Sequence, residues 1–116
     1  MFTATVTVSG LLAATISFAA VRKLSHRPEV VAAYARVGVP EERLNDLAAI
    51  LLAGAAGLIL GLVWAPVGIA AAGGLVVYFV LAIAAHVRFG DTAPLPTPIA
   101  IELMAIAALV LRVATL

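Results

Sequence analysis

The chain predicts an all-α fold: a transmembrane four-helix bundle with a short amphipathic interfacial helix between helices 1 and 2. Three observations carry that reading. The 116 residues are 65% hydrophobic and only 11% charged, with a mean hydropathy of +1.20. A soluble domain of this size lacks the interior to hide so much apolar surface. Four apolar stretches, residues 3–21, 44–64, 67–85 and 99–113, occupy most of the chain, and each approaches the ~20 residues a helix needs to cross ~30 Å of hydrocarbon. Nearly every charge falls in the gaps between them. Residues 1–116 read as a single domain.

The first stretch has no basic residues before it and is longer than a signal core, so it reads as a span rather than a secretory leader. In the gap that follows, Ser25 suits an N-cap, Pro28 a first helical turn and Gly38 a helix stop. Val30, Tyr34 and Val37 recur at i, i+4, i+7, with Glu29 and Arg36 off that stripe, which predicts a short helix lying in the membrane interface. Pro40 opens the second span, with Glu41 and Glu42 at the positive end of its macrodipole.

Along that span, Ala53-x3-Gly57-x3-Gly61 forms a ladder of small residues. Such ladders let helix backbones approach, which matters where lipid removes the hydrophobic drive between helices. Packing inside the bundle is the preferred use, with a homo-oligomer as the other. Gly73 and Gly74 in the third span read the same way.

The basic residues assign an orientation. Arg22, Lys23, Arg27, Arg36 and Arg43 lie in the first gap and Arg88 in the third, leaving Arg112 alone near the C-terminus. The first and third gaps share one side of a four-pass protein, which the positive-inside rule places in the cytoplasm. A multi-pass protein of the cell inner (plasma) membrane, with both termini outside the cytoplasm, is expected. Phe2 and Trp64 then fall at the outer interface, where Arg112 snorkels.

Ionisable groups in or beside spans are costly to bury and are therefore the candidates for function. Lys23 ends the first span, Asp46 begins the second, His86 ends the third and Glu102 lies inside the fourth. Alternating direction brings all of these to one end of the bundle, with Arg88 and Asp91 beside them. Asp46 lies within ~20° of positions 53, 57 and 64 at ~100° per residue, which puts it on the packed face. Phe79 and His86, seven residues apart, share a face, and Tyr78 lies ~12 Å deeper than His86 at ~1.5 Å per residue. The candidate ligand-binding set is Lys23, Tyr34, Asp46, Tyr78, Phe79, His86, Arg88 and Glu102. The candidate acid–base groups are Asp46, His86 and Glu102.

Composition removes other classes. The chain has no cysteine and only two histidines, so thiol chemistry is excluded and no metal site or intrinsic cofactor is expected. No basic tract points to nucleic acid. Small multidrug transporters need a glutamate in the first span, where this chain has only threonines and serines as polar residues.

Several fragments, in order, carry a family resemblance: Lys23-Leu24, Tyr34, Gly38-Val39-Pro40, Ala55-Ala56-Gly57-Leu58, Gly61-Leu62, Pro66, Gly68, Ala70-Ala71-Ala72, Gly74-Leu75-Val76, Tyr78-Phe79 and His86-x-Arg88-x-Gly90-Asp91. The chain resembles the DoxX-like family of small bacterial membrane proteins over nearly its whole length. Many relatives carry a glutamate early in the second span, near the position of Leu51 here; this chain's acid is Asp46. The resemblance implies a four-helix membrane bundle and, for some relatives, an association with quinone-linked or membrane-bound redox systems.

The functional expectation is an accessory subunit that binds a lipophilic small molecule, quinone or isoprenoid-like, or that docks a redox protein partner. An oily bundle with one polar end suits a ligand with an apolar tail and a polar head. The alternative is a small membrane enzyme of isomerase or epoxide-opening type, using Glu102, Asp46 and His86 as acid and base on a lipophilic substrate.

Overall fold

A computed structural model describes residues 2–116. Helix α1 spans Phe2–Ser25, α2 Pro28–Ala35, α3 Leu44–Leu60, α4 Ala65–Arg88 and α5 Pro96–Ala114, with a 3₁₀ turn at Glu41–Arg43 leading into α3. Four of these helices are long and apolar enough to cross a membrane. The molecule is 41 Å along its longest axis, which matches a bilayer of ~40–45 Å including headgroups.

The helices form a closed ring. Helix α1 packs on α3 and α5, α3 on α4, and α4 on α5; among the described residues the diagonal pairs bring no two Cα atoms within 8 Å. Each helix is antiparallel to both neighbours. The core explains why. Ala48, Leu51, Ala55 and Leu58 on α3, Ala72, Leu75 and Phe79 on α4, and Ile101, Ala105 and Ala108 on α5 repeat every three or four residues and meet Leu12, Ala13, Ile16 and Ala20 of α1. That spacing keeps one stripe of each helix facing inward. The opposite faces present large apolar side chains outward, among them Leu11, Phe18, Leu60, Leu81, Leu103 and Val110. Apolar faces both inside and out are the signature of a bundle solvated by lipid.

Small residues set the α3–α4 contact, as the ladder predicts. A Cβ on Gly57 would come within 2.7 Å of the Ala71 Cβ, and one on Gly61 would overlap the backbone of Gly68. The ladder therefore serves packing within the bundle. Gly73 and Gly74 do not: an added Cβ would meet nothing within 4 Å at either position. They lie off the inward stripe of Ala72 and Leu75.

Two local expectations are corrected. Ser25 does not cap α2. It ends α1, its Oγ donating to the Arg22 carbonyl, while Arg27 occupies the N-cap with Pro28 opening the helix. Arg112 does not snorkel. It is buried; its Nε donates to the Gly61 carbonyl at 2.8 Å and its Nη1 to the Thr115 carbonyl at 3.2 Å. The carbonyls at the end of α3 have no helical partners, and a buried cation beside them is better placed than one reaching for water.

Candidate functional site

The site begins with α2. Val30 and Val37 are buried and Tyr34 is half-buried, so the predicted apolar stripe exists. It turns onto the end of the bundle rather than into lipid. With α1, α4 and the loop before α5 it encloses a cavity of about 270 Å³ at the basic end of the molecule. The ring leaves this space because α1 and α4 are diagonal partners whose backbones stay apart. Gly38, at φ +79°, reverses the chain after α2 beneath the Phe89 ring, whose nearest atom would lie 2.8 Å from an added Cβ. The left-handed turn and the close ring both call for glycine there.

Five of the predicted ligand-binding residues line this cavity: Lys23, Tyr34, Tyr78, Phe79 and His86. The Lys23 ammonium sits 4.9 Å from the centre of the Tyr34 ring. Its side chain is 4% exposed and finds no hydrogen-bond or ion-pair partner among the described residues. Burial pushes the Tyr34 hydroxyl above its ordinary range, so it stays a neutral donor. Tyr78 meets Phe79 edge-on, ring centres 4.9 Å apart. The His86 Nδ1 lies 2.8 Å from the Ala82 carbonyl. As that nitrogen donates, Nε2 is left as the ring atom open to a ligand.

The remaining three stand apart. Asp46 is exposed and paired with Arg43 at 3.5 Å. The helical angle that placed it with Ala53 holds, but Ala53 is exposed too; farther along the stripe, Gly57 and Gly61 meet α4 closely. Arg88 is exposed, with its guanidinium 5.8 Å from the Phe89 ring centre. Glu102 is buried, with neither carboxyl oxygen partnered among the described residues, yet it lies outside the cavity wall formed by Pro98 and Ile101 of the same helix. The structure therefore does not bring Asp46, His86 and Glu102 together.

Arg22 and Arg36 are absent from the expected site, and Asp91 is expected only beside it. Arg22 and Arg36 edge the cavity with Asp91, and Arg36 Nε reaches Asp91 Oδ1 at 3.7 Å. Their places in the gaps gave no periodic signal, because the α2 fold-back that gathers them is a tertiary event.

The model of the DoxX-like family matches residues 7–109. The chain belongs to the DoxX-like family. The match includes the second and third spans, most of the first and fourth, and every residue of the cavity. No curated protein and no solved structure matches this DoxX-like chain. Among the described residues no cluster of side chains suits a metal ion.

Proposed function

We propose that this DoxX-like protein is an accessory subunit of the cell inner membrane that holds a lipophilic small molecule, quinone or isoprenoid-like, by its polar head. The cavity at the basic end is the observation that carries the reading. Lys23, Tyr34, Tyr78, His86 and Thr97, with Arg22, Arg36 and Asp91 at the edge, stand among the apolar side chains Val30, Val37, Phe79 and Ile101. Polar groups fixed in an apolar wall are the usual make-up of a small-molecule site. The hydroxyls and the ammonium suit a quinone carbonyl as hydrogen-bond donors. Arg27, Arg43 and Arg88 are exposed at the same end, where a redox protein partner would dock beside the bound molecule.

The basic end faces the cytoplasm in this proposal and both termini lie outside, following the excess of Lys and Arg. The acid–base alternative needs Asp46, His86 and Glu102 around one substrate, and only His86 lines the cavity, so the geometry favours binding over that chemistry.

The test is thermal melting of the purified chain in detergent with decylubiquinone. A dose-dependent rise in Tm is expected, lost in Ala33→Trp, which fills the cavity beside Tyr34. No shift with the quinone, together with no lipophilic compound in organic extracts of the purified protein, would sink the reading.

A further inference from the structure

Lys23 is a buried cation facing a cavity, and no carboxylate of the described chain neutralises it. Glu29 and Glu42 are exposed, and the other acids do not meet Lys23. Asp91 lines the same cavity but is met by Arg36 at 3.7 Å. Glu41 lies 2.9 Å from His26, and Asp46 lies 3.5 Å from Arg43. Glu102 is buried without any partner among the described residues, so it is not the counter-ion either. Arg22 adds a second cation to the cavity edge and has no ion-pair partner among the described residues. A buried charge without a pair is expensive, and the face of the Tyr34 ring offsets only part of that cost. A neutral carbonyl would accept a hydrogen bond from Lys23 yet leave its charge unmatched; an acidic oxygen supplies both.

We infer that the cavity selects an amphiphile with an acidic head, a carboxylate or a phosphate, seated on Lys23 with Arg22 at the rim. This deepens the ligand-binding reading above and rests on it. The head lies against the Lys23 ammonium and the Tyr34 hydroxyl edge of the cavity. The tail begins along Phe79, Ala82 and Ile101, which line the same space. At about 270 Å³ the cavity is just under the ~300–1,000 Å³ of small-molecule sites, so it takes the head and the first part of the tail, and the rest runs into lipid.

The experiment compares matched acids and alcohols on the full chain in phosphatidylcholine nanodiscs: farnesyl phosphate against farnesol, and laurate against dodecanol, with inorganic phosphate as a head without a tail. Each acid is expected to bind about ten-fold tighter than its alcohol, the size of one charge-assisted hydrogen bond. Lys23→Gln, whose amide still donates a hydrogen bond, is expected to narrow that gap to about two-fold or less by weakening the acids far more than the alcohols, whereas loss of a merely structural lysine weakens acid and alcohol alike. Inorganic phosphate is expected not to compete. Equal binding of acid and alcohol by the unaltered chain overturns the inference and leaves the lipophilic-ligand reading standing. The inference also falls if the gap survives in Lys23→Gln, if that variant weakens both classes equally, or if inorganic phosphate competes as well as farnesyl phosphate. If no probe binds, decylubiquinone included, both readings fall. Should Lys23→Gln not fold, the acid–alcohol comparison on the unaltered chain decides alone.

Discussion

Arg112 ties three segments together at the end of the bundle away from the cavity. Its Nε donates to Gly61 at 2.8 Å, its Nη1 reaches Thr115 Oγ1 at 3.2 Å, and its guanidinium lies 5.6 Å from the Phe2 ring centre. Arg112→Met keeps much of the apolar stem and removes the donors, so it should cost about 2–3 kcal/mol, the worth of hydrogen bonds to a charged group plus an orphaned carbonyl. Denaturation of the two proteins in the same detergent checks it. At the other end His26 adopts φ +51° and closes α1. Its Nδ1 lies 2.9 Å from Glu41 Oε2 and its Nε2 2.8 Å from Asn45 Oδ1. Both neighbours are acceptors, so the doubly protonated ring satisfies both, and the Asn45 and Glu41 hydrogen bonds raise the His26 pKa above its ordinary 6.5. A raised value means the contribution is complete below the unfolded value of 6.5 and is lost as pH climbs through the higher folded value. Melting at about pH 6 should therefore exceed that at about pH 8, and His26→Gln should shrink the difference.

Among the elements, the α3–α4 pair carries the sharpest contrast. Gly61 and Gly68 bring two backbones into contact at the Trp64 corner, and neither leaves room for a Cβ. Gly61→Ala should destabilise by about 1–3 kcal/mol through overpacking. Gly73 sits mid-helix with nothing within 4 Å of an added Cβ, so Gly73→Ala should stabilise by about 0.5–1 kcal/mol through helix propensity alone. Opposite signs from one substitution type, read by melting temperature, test the packing directly. Equal losses at both positions would contradict it. The GxxxG spacing was legible in the sequence. Which glycines met a neighbour was not, because Gly57 and Gly73 look alike until helix rotation about the bundle axis is known.

Across the whole molecule, the basic residues crowd one end and Arg112 stands alone at the other, which makes orientation testable. The chain has no cysteine, so single replacements report cleanly. Arg27→Cys, in the exposed link between α1 and α2, should resist a membrane-impermeant maleimide in intact cells, while Val63→Cys, 87% exposed beside Trp64, should react. The reverse pattern would invert the proposed topology. Such labelling also probes the bundle: four spans require both positions to keep opposite accessibility.

The four spans, their ends to within a few residues and the helix at Pro28–Ala35 could be read from composition and spacing, because lipid imposes length and apolarity on each helix separately. The gathering of Lys23, Tyr78, Phe79 and His86 was legible for a related reason, since helices of fixed rise and alternating direction bring their ends to shared levels; Tyr34 joins them only through the fold-back of α2. Rotation about each axis was not. It turned Asp46 out to Arg43, drew Arg112 inward onto Gly61 and kept Glu102 behind the cavity wall. Those outcomes depend on which faces of four neighbours fit together at once, and no local pattern in one helix contains that information.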